Sequence, residues 1–205
     1  MRLGIVLCVM LCFGCATPVR GPLVPPTSSV AVAGFIYPHE DWELLAGVLP
    51  EKHDAVSAET LDALDAMLLQ ALGQHQGVVP SAAVKRCEEV AIATKERKRQ
   101  DAVAYWQQVG TCVGAEYLVV PFVTHWQARE GGEYGVIRPA SVSLNLFLLH
   151  VASGELRRFH FEEAQVGLAE NLLRGKRFFQ RKGRWLTPEE LAAEGIADGV
   201  KELGL

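Results

Sequence analysis

Residues 141–165 read SVSLNLFLLHVASGELRRFHFEEAQ, and their pattern decides the fold. Val142, Leu144, Leu146 and Leu148 alternate with Ser141, Ser143 and Asn145, the period of two of a strand with one face in a core. Phe147, Leu149 and Val151 make the far end apolar on both faces, so that end lies deeper. Val136 to Val151 is predicted as one long strand. Ala152-Ser153-Gly154-Glu155 then turns the chain into another, Leu156 to Gln165. A two-residue turn pairing 152 with 155 would set His150 opposite Arg157 and His160 opposite Phe147. Upstream, Gly114 to Gln127 is a strand with both faces apolar at its start, and Glu130-Gly131-Gly132-Glu133 is a turn signal. The three strands form an antiparallel meander.

Ahead of the meander the period becomes helical. Ser29 to Ile36 (SVAVAGFI) is a buried first strand, and Tyr37 to Val56 is a long loop with one helical turn around Trp42 to Leu45. Ser57 is an N-cap with Glu59 in the first turn. Leu61, Leu64, Leu68, Ala71 and Leu72 then recur at helical spacing until Gly73 and Gly77. Asp62 and Asp65, three apart on this helix, read as a solvated pair. Gly77 to Pro80 is a short strand. Ser81 caps a second helix with Val84, Cys87 and Ala91 on its apolar side. A third helix runs from about Glu96 to Val109, with Val103, Trp106 and Val109 inward. The basic run Lys95 to Arg99 is a solvated helix face. Thr187-Pro188-Glu189-Glu190 combines an N-cap, a first-turn Pro and a capping-box Glu, and opens a final helix faced by Leu191, Ile196, Val200 and Leu203. The expected class is α/β (an α+β sandwich): a mixed sheet with a carboxy-terminal antiparallel meander and helices packed on it.

The amino terminus carries a different message. Arg2 precedes an apolar run, Leu3 to Phe13, that is shorter than the about 20 residues a spanning helix needs and fits the core of a secretory signal. Gly14 and Cys15 follow, then a stretch holding Pro18, Pro22, Pro25 and Pro26. This transition resembles a bacterial lipoprotein signal, with Cys12 where that signal usually has Leu. The resemblance implies cleavage before Cys15 and lipidation of Cys15. Ala16, where an Asp would favour the inner membrane, implies the outer membrane of a two-membrane cell. The chain is thus expected to divide into a signal (1–14), a semi-rigid Pro-rich tether (15–28), an α/β domain (29–165), and a basic-aromatic segment with a terminal helix packed on that domain (166–205).

Composition is that of a packed globular protein, 49% hydrophobic and 21% charged. Net charge is −4, and loss of Arg2 with residues 1–14 leaves 19 basic against 24 acidic groups, or −5. That balance argues against a nucleic-acid partner. Of five cysteines, Cys8 and Cys12 belong to the signal. Cys87 and Cys112 remain, as a disulfide or as two buried thiols. A bond closing about 26 residues contributes on the order of 3 kcal/mol.

Motifs for chemistry are sparse. His39 lies near Glu40 and Asp41, and His53 near Asp54, but both groups sit in a polar loop, and no Cys or His has zinc-ligand spacing. No Gly-x-Ser-x-Gly is present, and Ser141 and Ser143 lie in mid-strand. No cofactor motif and no catalytic set is expected. The best binding candidate is RGKRFFQRKGRW (174–185): Arg174, Lys176, Arg177, Arg181, Lys182 and Arg184 around Phe178, Phe179 and Trp185. Its guanidinium groups suit carboxylate or phosphate. The alternative is a loop whose aromatics pack on the core while its cations stay wet.

Val113-Gly114-Ala115-Glu116-Tyr117-Leu118-Val119-Val120, with Val30-Ala31-Val32-Ala33 upstream, resembles a recurring envelope-lipoprotein domain. It looks like the amino-terminal domain of the Tol-system propeller protein, the curli secretion lipoprotein, and the outer-membrane activators of peptidoglycan synthases. Glu116 stands where those usually have Asp. The likeness covers about Ser29 to Gln165 and implies an α/β sandwich that acts by binding. The expected function is a non-catalytic, lipid-anchored envelope module with an envelope protein partner and an undetermined oligomeric state. A secretion-channel subunit, with the Gly114 to Val151 hairpin facing lipid, and an envelope hydrolase are the alternatives.

Overall fold

A computed structural model of the chain describes residues 24–25, 27–50, 56–73, 77–95, 101–166 and 181–205. The expected signal and Cys15 lie outside these residues, as does 96–99 of the basic run. Among the described residues the fold is a mixed four-stranded sheet with helices on both faces, an α+β architecture.

The elements are β1 (Val30–Val32), α1 (Ala58–Ala71), α2 (Ser81–Lys95), α3 (Ala102–Val113), β2 (Tyr117–Gln127), β3 (Glu130–Gly131), β4 (Val136–Arg138), β5 (Ser141–His150), β6 (Leu156–Ala164) and α4 (Pro188–Leu203). The sheet order is β1-β2-β5-β6; β1 runs parallel to β2 and the other pairs are antiparallel. Val79 adds a single parallel bridge to Ala31, which is all that forms of the short strand expected there.

Alternation in β5 decides the layers. Val142, Leu144, Leu146 and Leu148 join Val119, Val123 and Phe161 under α1 (Leu64, Leu68) and α4 (Leu191, Ile196, Val200). Phe147 and Leu149 join Leu118, Val120 and Phe122 on the opposite face, under α2 (Val84, Ala91) and α3 (Tyr105, Trp106, Val109). Each fully buried Leu or Phe contributes about 1.5–3 kcal/mol, so the two cores clamp β2 and β5 between helices.

The helix ends follow their caps. Ser57 accepts from Thr60 N at 3.2 Å, and Thr187 forms the expected capping box with Glu190. The third helix differs from expectation at both ends. Asp101 caps it, accepting from Ala104 N at 2.7 Å, and it continues to Val113, where Gly114 takes the left-handed conformation (φ 75°) that ends it.

Two expectations for the meander are corrected. The stretch 136–151 is two strands, because Pro139 has no N–H for the ladder: β4 pairs with β3 in a small separate hairpin, and β5 begins at Ser141. The turn after β5 is also longer. Glu155 O accepts from His150 N and His150 O from Gly154 N, both at 2.9 Å, so residues 151–154 form a four-residue loop completed by Gly154 at φ 73°. The register is therefore shifted by two, and His160 faces Asn145 while Arg158 faces Phe147.

Candidate functional site

The described end of the basic-aromatic segment turns inward. Lys182 (φ 59°) and Gly183 (φ 72°) make a tight reversal between Arg181 and Arg184. Arg181 spans two elements: Nη1 lies 2.5 Å from Glu163 Oε1 on β6, and Nη2 lies 2.5 Å from Glu194 Oε2 on α4. The Arg181 and Glu163 side chains are 10% and 11% exposed. Burial works against the Arg181 charge, but the two carboxylates outweigh it and hold its pKa above the ordinary value. Arg184 binds Glu190 at 2.7 Å and Glu133, in the β3–β4 turn, at 3.3 Å. Partial burial would raise the Glu190 carboxyl. The Thr187 N–H and Arg184 reverse that and leave it lowered. Trp185 N donates to Glu133 O at 2.9 Å, and Arg129 Nη1 donates to Trp185 O. Arg181, Arg184 and Trp185 thus clasp α4 to β6 and to the small hairpin, while Lys182 points to solvent. Arg174, Lys176, Arg177, Phe178 and Phe179 lie outside the described residues.

Cys87 on α2 and Cys112 on α3 form a disulfide with Cα atoms 5.8 Å apart, which staples the two helices of one layer. Among the described residues, three buried polar atoms of these two helices have no hydrogen-bond partner: Glu88 Oε1, Trp106 Nε1 and Gln108 Oε1. Desolvation raises the Glu88 carboxyl above its ordinary value, with Lys85 opposing and Asp65 and Glu89 adding to the rise. Desolvation raises Tyr105 as well, reinforced by Glu88 and Glu43.

Asp65 is not the solvated helix carboxylate expected of it. Its Oδ1 accepts from Phe35 N at 2.5 Å and its Oδ2 from Ser81 Oγ at 3.3 Å, joining the end of β1 to the start of α2. Gly34 makes the room, since a Cβ there would stand 3.0 Å from Asp65 Oδ2. Partial burial raises the Asp65 carboxyl despite these bonds. Ser143, the other candidate for chemistry, is bonded to Thr124 Oγ1 at 2.9 Å. His39 donates its backbone N–H to Glu43 at 2.7 Å, within the capping of a short helical turn at Asp41–Glu43. Among the described residues no three His, Cys, Asp or Glu side chains converge as metal ligands.

Beyond the helices the β5–β6 side of the α2–α3 face is polar. Asn145, 4% exposed, accepts at Oδ1 from Arg158 Nε (2.8 Å), Arg158 Nη2 (2.6 Å) and His160 (3.0 Å). Arg158 also lies 5.7 Å from the Phe147 ring centre, a cation–π distance. The shifted register brings these groups together. On the other side of β6 an open groove of about 520 Å³ runs along the sheet edge, lined by Phe159, His160, Phe161 and Glu162 and by Asp198, Lys201 and Glu202 of α4. Tyr134 and Ile137, at the small hairpin, are exposed apolar groups, 80% and 85% exposed, as is Val48 at 83%.

The hairpin that a channel subunit would turn to lipid is covered here. Leu118, Val120, Phe122 and Phe147 lie under α2 and α3, and Val119, Val123, Leu144 and Leu146 under α1 and α4. Among the described residues no helix is long and apolar enough to cross a membrane.

No protein-family model and no curated protein matches the chain. Several solved structures are similar to it at low identity. A single-substitution variant of the PelC dodecamer from Paraburkholderia phytofirmans is 14% identical over 90% of this chain and 93% of that one, with a TM-score of 0.46. The LpoB C-terminal domain from Salmonella enterica is 13% identical over 71% and 88%, with a TM-score of 0.38. Lipoprotein GNA1162 from Neisseria meningitidis is 13% identical over 76% and 99%, also at 0.38.

Proposed function

We propose that this chain is a non-catalytic lipoprotein of a bacterial envelope, anchored through Cys15, whose α+β domain serves as an interaction or assembly module. One observation carries the reading: an apolar run too short to span, Leu3 to Phe13, ends at Gly14-Cys15 and gives way at once to a Pro-rich stretch. The Cys87–Cys112 bond supports it, because disulfides persist in oxidising compartments outside the cytosol. The sign of the charge agrees, since a net −4 suits protein partners better than nucleic acid. The groups that most resembled chemistry, Asp65, Ser143 and Arg181, are engaged in holding elements together.

Inhibiting lipoprotein signal peptidase in cells producing the chain tests the anchor. A precursor heavier by residues 1–14 should accumulate, and Cys15→Ala should leave the detergent phase for the aqueous phase. Unchanged processing and partitioning would overturn the assignment. Crosslinking in intact cells tests the module: an envelope protein should be recovered with the native chain, and recovery of none counts against that role.

A further inference from the structure

The outer edge of β6 carries an order of side chains that matches its own reverse. β6 is the terminal strand of the sheet, with β5 its one strand neighbour among the described residues. Such an edge presents backbone N–H and C=O groups to any strand that can lie against it. Edges are usually protected by charges that repel a second copy. Here the sequence is Leu156-Arg157-Arg158-Phe159-His160-Phe161-Glu162-Glu163-Ala164. Reversed and laid antiparallel about His160, it sets Arg158 opposite Glu162, Arg157 opposite Glu163, Phe159 opposite Phe161 and Leu156 opposite Ala164. Residues directly opposite in an antiparallel pair share a face and interact, and every charged pair in this register joins opposite signs.

We propose that two copies of this chain pair along β6 about a twofold axis at His160, joining their four-stranded sheets into one of eight strands. Among the described residues the edge is open where the pairing needs it. The groove of about 520 Å³ is lined by four consecutive β6 residues, Phe159 to Glu162, so it reaches side chains of both faces and the backbone between them. Arg157 is 40% exposed, His160 42% and Glu162 73%. Within the chain Glu163 already lies against Arg181, Arg157 is 3.4 Å from Glu155, and Glu162 is 3.5 Å from His160. Glu162 is the more exposed of the two β6 carboxylates, 73% against 11%, so its pairing with the second copy's Arg158 decides the register. Arg158 lies on the same face of β6 as that carboxylate; Asn145 Oδ1 accepts from its Nε and Nη2 at 2.8 and 2.6 Å and draws the guanidinium over β5, and pairing turns it outward to the second copy. The α4 side chains along the groove carry both signs, Asp198, Lys201 and Glu202, so this flank also tolerates a copy of itself. A twofold contact satisfies each pair twice, as an isologous interface must.

Charge exchange tests the register. The full chain, purified in detergent, should sediment as a dimer at micromolar concentration. Glu162→Lys sets Lys against Arg158 and should weaken association at least tenfold, as should Arg158→Glu. Mixing the two variants should restore a dimer, because both charge pairs become attractive in the heterodimer alone. Thermal unfolding of each variant separates loss of pairing from loss of fold. His160→Cys gives a second readout, since the axis places position 160 against itself. A disulfide-linked dimer should appear on a non-reducing gel, and Thr111→Cys, on the exposed face of α3, should give little. A monomeric native chain, a mixture that stays monomeric although both variants fold, or equal crosslinking at 111 and 160 would each overturn the proposal. None of these results bears on processing at Cys15, so the two readings fail separately.

Discussion

Gly195 and Gly199 stand one turn apart on the face of α4 that meets the sheet, and Gly195→Ala tests whether close approach keeps a glycine there. On an exposed helix the change would stabilise by about 1 kcal/mol, because Gly is the poorer helix former. At 195, however, a Cβ would stand 2.6 Å from both Cγ and Cδ1 of Phe161, a ring that is 5% exposed. Overpacking of a rigid core costs about 1–3 kcal/mol. The two effects oppose, and the structure favours the second, since the clash falls on the root of a buried ring rather than on a mobile tip. We expect a net loss of about 1 kcal/mol, and up to ~2 if Phe161 cannot tilt. Phe161→Leu removes the obstacle, and in that background the same Gly195→Ala should become neutral or stabilising. The assay is urea unfolding of the four proteins of the cycle, with coupling read from the midpoints at constant slope. A native-background Gly195→Ala that unfolds at higher urea than the parent would refute the close-approach argument.

Three further outcomes follow from the same contacts. Glu88→Gln should raise the unfolding temperature at pH 7, because the buried carboxyl is held above its ordinary value of 4.5 and its ionised form opposes folding. The folded state binds the extra proton, so this penalty grows as pH rises through the raised pKa and vanishes below 4.5, where both states are protonated and the variant and parent should melt together. Arg181→Met leaves Glu163 buried without that cation and should cost on the order of 3–5 kcal/mol by denaturant unfolding. Replacing both Cys87 and Cys112 with Ser should cost about 3 kcal/mol in the same assay, and because Cys112 is exposed, a reductant should produce the same shift in the native protein without prior unfolding.

Much of the sheet was legible because its signals are local. The alternation of Val142, Leu144, Leu146 and Leu148 names one face of β5, and Thr187-Pro188-Glu189-Glu190 announces α4 within four residues. What was missed depends on partners far along the chain or on one backbone atom. Pro139 splits a convincing hydrophobic run because a ladder needs an N–H that proline lacks. The loop at 151–154 takes four residues where Ser153-Gly154 alone suggested two, and that moves His160 from Phe147 to Asn145. Asp65 looked solvated because its acceptors' partners, Phe35 N and Ser81, come from other elements. Where the described end of the basic-aromatic segment docks was hidden for a similar reason: Glu133, Glu163, Glu190 and Glu194, which take up Arg181 and Arg184, sit on three different parts of the fold. One available signal went unread. Two glycines four apart, Gly195 and Gly199, interrupt a strong helix and mark the line where it lies closest to the strands.

The parallel pairing of β1 with β2 governs when the fold can close. Ser29 Oγ accepts from Glu116 N across 87 residues, and Val30 to Val32 lie against Tyr117 to Val119. A strand this short has no stability of its own, so the amino-terminal end of the domain stays unsettled until more than half the chain is in hand. Contacts of such long sequence separation slow folding. With the export proposed above, that delay would serve the chain, because its first strand offers no early structure to jam the passage.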